Sequence, residues 1–134
     1  MKVLITGANG FLGQHLCTYL ANKHFKVIAA NRGDCRIPSH ENIQYYKVDL
    51  TKEDEVDLMI SQTTPDVVIH TAAMSKPDEC ENNKDACVAV NVSSTNYLLQ
   101  SLKKCNPSAH FIYTSTDFIF GENGPHSEDD IPSP

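Results

Sequence analysis

Short apolar runs recur along the chain, and between them the hydrophobic positions change period. Lys2–Thr6 (KVLIT), Lys26–Ala30 (KVIAA) and Val67–His70 (VVIH) are β-branched and almost continuously apolar, the pattern of parallel strands buried on both faces. Ile43–Val48 and His110–Thr114 read as two further strands. After the first run, Gly7-Ala8-Asn9-Gly10 punctuates the chain. Phe11, Leu12, Leu16, Tyr19 and Leu20 then recur at three-to-four spacing, which predicts an amphipathic helix to about Lys23. Asp49-Leu50-Thr51-Lys52-Glu53 offers a cap and an acidic first turn for a helix ending near Thr63. Pro77 opens a long helical region that reaches Lys104 with some break, and Asn106-Pro107 stops it. The stretch from Asn31 to Asn42 is polar and turn-rich, and from Gly121 onward Gly, Pro, Ser and acids predict loop. Strand, helix, strand at this cadence means parallel βαβ units with right-handed crossovers. The expected fold is α/β: a doubly wound parallel sheet of order 3-2-1-4-5, with its crevice at the carboxyl ends of strands one and four.

Composition narrows the function classes. A chain of 134 residues, 40% apolar and 21% charged, is the size of one globular domain. Its 11 Lys and Arg stand against 17 Asp and Glu, a net charge of −6, so a nucleic-acid backbone is not the expected partner. No apolar run approaches the ~18 residues of a membrane span, and the first run is too short for a signal-peptide core. A cytoplasmic protein is the expectation. Cys17, Cys35, Cys80, Cys87 and Cys105 are widely spaced without a C-x-x-C pair, which reads as free thiols behaving as small apolar residues. The six histidines lack ligand spacing, so no metal site is expected.

The chemistry concentrates in Thr6-Gly7-Ala8-Asn9-Gly10-Phe11-Leu12-Gly13, three glycines spaced G-x-x-G-x-x-G. The first glycine allows a sharp turn off the strand, and the second lets backbone approach a pyrophosphate. The third lets the helix pack close to the sheet. The helix start then offers N–H groups and a positive dipole end to phosphates. Cofactor choice turns on the end of the second strand. An acid there would grip the ribose hydroxyls; Asn31-Arg32-Gly33 stands there instead, and the Arg32 guanidinium suits a 2′-phosphate. The expected cofactor is NADP, with NAD left open because Asp34 is adjacent.

These motifs together resemble the extended short-chain dehydrogenases/reductases, and the resemblance runs the length of the chain. It implies a Rossmann, NAD(P)-binding domain over residues 1–134 and further roles by position. Asp49-Leu50 is similar to the pair whose carboxylate meets the adenine amino group, although Asp49 as a mere helix cap is the alternative. His70-Thr71-Ala72-Ala73 is similar to the loop against the adenine ribose and phosphates, with His70 as a satisfied core histidine the other reading. Asn91 in Val90-Asn91-Val92 matches the asparagine that steadies the catalytic loop, a buried hydrogen-bonding role. Tyr113-Thr114-Ser115-Thr116-Asp117 matches the loop carrying the catalytic hydroxyl, here Thr116, with Thr114 and Ser115 beside the cofactor.

Within that group, Ser115–Gly121, the Gly/Asn turn after it and the PHSEDDIP stretch (Pro125–Pro132) are most similar to the dTDP-4-dehydrorhamnose reductase family. Phe118 stands where nucleotide-sugar dehydratases carry a glutamate. The resemblance implies hydride transfer to a 4-keto nucleotide sugar. The alternatives are a non-catalytic NAD(P)-binding subunit, since the regulatory subunit of methionine adenosyltransferase resembles the same reductases, and an epimerase or dehydratase. The family's catalytic Tyr-x-x-x-Lys pair is expected after the loop that carries Thr116, and none lies there; the one such spacing in these 134 residues, Tyr19 to Lys23, falls in the first predicted helix. The chain therefore reads as the N-terminal part of a longer protein, without its substrate domain and last strands, and as inactive alone. Such a piece would leave His110–Thr114 as an exposed edge for a homodimer or other self-association.

Overall fold

A computed structural model describes residues 1–121 and 124–133, with Asp117 described by its backbone alone. The turn expected at 121–124 includes residues 122 and 123, which lie outside the described residues. The elements follow in order as β1 (Lys2–Thr6), α1 (Phe11–Asn22), β2 (Lys26–Asn31), β3 (Ile43–Lys47), α2 (Glu53–Thr63), β4 (Val67–His70), α3 (Pro77–Asn82), α4 (Lys84–Val88), a π-helical turn (Ala89–Ser93), α5 (Ser94–Cys105), β5 (His110–Tyr113) and a 3₁₀ turn (Asp117–Ile119). The sheet is five-stranded and parallel, ordered β3-β2-β1-β4-β5, as the alternation predicts. The long helical region breaks at Asn83, whose φ of −144° and ψ of 66° leave the helical range.

Strand alternation splits the core into two layers. Leu4, Ile28 and Val68 face α2 and α5, packing with Val56, Met59, Ile60, Leu98 and Leu102. Val3, Ile5, Val27 and Ala29 face α1 and meet Cys17 and Ala21. Central strands β1 and β2 are buried on both faces for nearly their whole length, which is why they read as continuous apolar runs. Edge strands β3 and β5 are only half-buried or exposed. The cysteines are free: Cys17 is core, Cys80 and Cys87 are half-buried, and Cys35 and Cys105 are exposed. Burial first, then the neighbouring Cys35, pushes the Cys17 thiol up to about 12, so it packs as a small apolar residue.

Two glycines fix how α1 leaves the sheet. Gly7 has φ +67°, and a Cβ there would lie 2.7 Å from the Ala72 nitrogen. Gly13 lies so close to the turn that a Cβ would overlap the Gly7 carbonyl and come within 2.9 Å of Ala8 Cα. Both obstacles are backbone and cannot rotate away. Gly13→Ala is therefore expected to destabilise the fold by about 1–3 kcal/mol, the cost of overpacking a close contact. Urea unfolding checks this, and an unchanged midpoint would mean the helix can slide.

Candidate functional site

A crevice of about 430 Å³ opens at the carboxyl ends of β1, β2 and β4. It gathers Gly7 and Gly10 from the glycine turn, Asn31 and Arg32 from the end of β2, Asp49 and Leu50 from the segment after β3, and Ala72 and Ala73 after β4. These residues are spread over 67 positions of sequence. Parallel pairing brings them together because each strand delivers its following loop to the same end of the sheet. Gly33, Val48, Thr51, Thr71, Val90 and Ser94 also line the crevice; Gly33, Thr51, Thr71 and Val90 flank the expected site residues inside their motifs, whereas Val48 and Ser94 belong to no motif. Thr51 carried one usable signal, its place two residues after Asp49.

The α1 N-terminus is built without competition for an anion. Its N-cap is Gly10, no side chain caps it, and its first turn carries no acid. The first N–H groups of a helix lack intrahelical acceptors, so Phe11, Leu12 and Gly13 contribute backbone donors and the positive dipole end. The Phe11 side chain is itself 85% exposed and stacks edge-on against His15. Gly10 has ordinary φ and ψ of −74° and 169°, so its lack of a side chain matters for space at the crevice rather than for backbone conformation.

Asp49 is not the helix cap. Lys52 occupies that position, without a side-chain cap bond. The Asp49 carboxylate instead accepts from the Thr51 N–H at 3.1 Å and the Thr51 hydroxyl at 2.8 Å, closing an Asx turn. Its own N–H donates to Glu55 at 2.8 Å. Partial burial raises its pKa, but the Thr51 bonds and the Arg32 and Lys52 charges outweigh that and hold it below the usual carboxylate range. An ionised carboxylate therefore sits on the crevice wall within the field of Arg32. The acidic first turn of α2 is present as read, with Glu53, Asp54 and Glu55.

His70 is a core residue. Its ring is 1% exposed, Nδ1 pairs with the Thr6 hydroxyl at 2.6 Å, and Nε2 pairs with the Thr95 hydroxyl at 3.1 Å. Both nitrogens are engaged inside the protein, so a ligand meets this segment through Thr71, Ala72 and Ala73. Burial pushes the ring pKa down to about 4. The His70 carbonyl accepts from the Thr114 N–H and hydroxyl at 3.3 and 2.9 Å, which spends the Thr114 side chain on tying β5 to β4.

Asn91 holds both polar groups of Met74. Its Oδ1 accepts from the Met74 N–H at 2.8 Å and its Nδ2 donates to the Met74 carbonyl at 3.0 Å. The loop after β4 is thereby pinned to the π-helical turn; Asn91 makes hydrogen bonds as the sequence reading expected, but it is half-buried rather than buried. Asn9 turns away from the crevice: its amide bonds to Asp34, Arg36 and Tyr45. Ser115 and Thr116 are exposed just past β5, where Thr116 accepts the Phe118 N–H at 3.3 Å. Among the described residues no cluster of His, Cys, Asp and Glu could hold a metal, and no helix is long and apolar enough to cross a membrane.

Fold and crevice together define a Rossmann domain whose glycine turn opens onto the crevice. The chain belongs to the NAD dependent epimerase/dehydratase family, whose model matches residues 3–134. It is 33% identical over 134 residues to methionine adenosyltransferase 2 subunit beta of Rattus norvegicus, covering 99% of this chain and 38% of that protein. It is 29% identical over 136 residues to dTDP-4-dehydrorhamnose reductase of Aggregatibacter actinomycetemcomitans, covering 99% and 41%. UDP-glucose 4-epimerase of Thermotoga maritima, solved with UDP-glucose, superposes with a TM-score of 0.89 at 26% identity, covering 100% of this chain and 45% of that one. The chain thus spans about two-fifths of the length of the curated relatives it matches.

Proposed function

We propose that these residues form the NADP-holding part of a cytoplasmic reductase that delivers hydride to the keto group of a nucleotide-linked sugar. The observation that carries this reading is the crevice, where the glycine turn and bare helix start, the Asp49-Leu50 wall and the Ala72-Ala73 loop converge. That geometry suits a dinucleotide. Pyrophosphate would lie on the first-turn N–H groups beside Gly10, adenine against Asp49 and Leu50, and the adenosine ribose between Arg32 and the Ala72-Ala73 loop. The nicotinamide supplies hydride chemistry when bound. Thr116, in the loop after β5, would hold the substrate carbonyl oxygen, with Ser115 beside it. Phe118 in place of an acid favours reduction over dehydration. The one Tyr-x-x-x-Lys spacing among the 134 residues, Tyr19 to Lys23, lies at the end of α1 and lines no part of the crevice, so NADPH oxidation by this stretch alone should stay at background with a 4-keto sugar nucleotide.

Cofactor choice rests on Arg32. If its guanidinium meets a 2′-phosphate, Arg32→Ala should weaken NADP by about 1.5–3 kcal/mol and leave NAD nearly unchanged. Calorimetric titration with both dinucleotides checks this. Equal losses would assign Arg32 to the surface.

A second reading is favoured by the 33% identity to methionine adenosyltransferase 2 subunit beta: a dinucleotide-binding subunit without turnover. The assay that separates the two is NADPH oxidation by the longer protein in the presence of a 4-keto sugar nucleotide. In either case the β5 edge, with Ile112 and Tyr113 at 40% and 54% exposure, is a template for self-association. Light scattering of the 134-residue chain should show dimers or larger species.

A further inference from the structure

The turn that carries Arg32 is held by side chains rather than by a strand ladder. After Asn31 the chain leaves β2 and does not rejoin the sheet until Ile43. The Tyr45 hydroxyl, projecting from β3, donates to the Gly33 carbonyl at 2.5 Å. Asn9, in the glycine turn, donates from Nδ2 to Tyr45 Oη at 3.2 Å and to the Asp34 carbonyl at 2.8 Å. Its Oδ1 accepts from the Arg36 N–H at 3.0 Å. Three backbone groups across four residues thus depend on two side chains, and one of those belongs to the phosphate-binding turn. The Asn31 amide oxygen also accepts from the Arg32 and Gly33 N–H groups at 3.1 and 3.2 Å and is itself met by Asn9 Nδ2 at 3.1 Å; the Lys47–Asp34 ion pair at 2.8 Å has both side chains well exposed and contributes little.

We infer that Asn9 and Tyr45 form a latch that fixes the turn after β2, and so sets the chain's discrimination between dinucleotides with and without a phosphate on the adenosine ribose. This rests on the reading that Arg32 meets that phosphate. The physical reason is positional. A guanidinium recognises a phosphate through a planar fork of donors, so its selectivity depends on where the backbone beneath it is held. Arg32 is an exposed side chain, and no hydrogen bond described for it orients its guanidinium. Gly33, next in sequence, brings backbone freedom that the Asn31 amide restrains at its N–H and the Tyr45 hydroxyl at its carbonyl. Asn9 and Tyr45 supply that restraint without lining the crevice themselves. They are positioning residues and touch no part of the ligand.

The test uses NADPH and NADH fluorescence titrations on wild type, Tyr45→Phe, Asn9→Ala and the double variant Arg32→Ala/Tyr45→Phe. Tyr45→Phe keeps the ring packed against the α1 layer and removes only the hydroxyl. In wild type NADPH should bind more tightly. Both single latch variants should lower the NADPH:NADH affinity ratio at least fivefold, through loss of NADPH affinity, with NADH affinity held within twofold. Tyr45→Phe should have no further effect on the ratio once Arg32 is removed, because the coupling runs through that side chain. Amide exchange of Arg36 should quicken in Asn9→Ala. A wild type without preference would overturn the Arg32 reading and the latch together. A wild-type preference that survives in both variants, or equal losses for both dinucleotides, would overturn the latch alone.

Discussion

Gly10→Val should reduce dinucleotide affinity by at least about 100-fold, near 2.8 kcal/mol, while the chain remains folded. Gly10 adopts φ and ψ of −74° and 169°, a conformation open to any residue, so valine brings no backbone strain. Its Cβ would lie 3.1 Å from the Gly7 carbonyl oxygen, a contact that a shift of a few tenths of an ångström relieves. The branched methyls are the larger problem, since they would stand at the mouth of α1 where a pyrophosphate must approach the N–H groups. Binding should therefore fail through exclusion rather than unfolding. Calorimetric titration with NADPH measures the loss, and a thermal melt shows whether the fold survives. Unchanged affinity would make the glycine turn a structural turn only.

Acidification should destabilise the fold between pH 6.5 and 4, chiefly through His70. In the unfolded chain the ring takes a proton near pH 6.5; in the fold, burial holds it neutral down to about 4. Between those values the unfolded state binds the extra proton, so stability falls as pH falls. The contribution is fully present above pH 6.5, is lost at up to ~1.4 kcal/mol per pH unit below it, and levels off beneath pH 4, for a total of about 3 kcal/mol. The carboxylates with lowered pKa, Asp49, Asp57 and Glu55 among them, lose their stabilising contribution mainly below about pH 4.5, at the lower end of this window, as the unfolded chain's carboxyls take up protons. Urea unfolding at half-unit pH steps checks the slope. His70→Gln, which retains hydrogen-bonding groups without a titratable ring, should flatten the curve across this window, and a slope that survives the substitution would assign the acid sensitivity elsewhere.

What the sequence by itself determined is the periodicity and its consequences. Continuous apolar runs mark β1, β2 and β4 because strands buried on both faces have no polar side to display. The glycine spacing marks the tight turn between β1 and α1 because Gly7 and Gly13 face backbone obstacles that leave no room for a Cβ. A parallel, doubly wound sheet followed from alternation and crossover handedness, which are local properties of a chiral chain, and the order 3-2-1-4-5 is the Rossmann one among the orders those rules allow. Tertiary structure alone decided the direction of individual polar side chains. His70 could face the ligand or the core; the choice fell to the Thr6 and Thr95 hydroxyls, 64 and 25 residues away. Asp49 looked like a helix cap until the helix started at Glu53 and the carboxylate closed on Thr51. Asn9 lies inside the motif yet serves a turn 25 to 27 residues onward. Periodicity follows from which residues leave water, and that is written locally along the chain. A hydrogen-bond partner is fixed by where another segment comes to rest, which no spacing within the motif records.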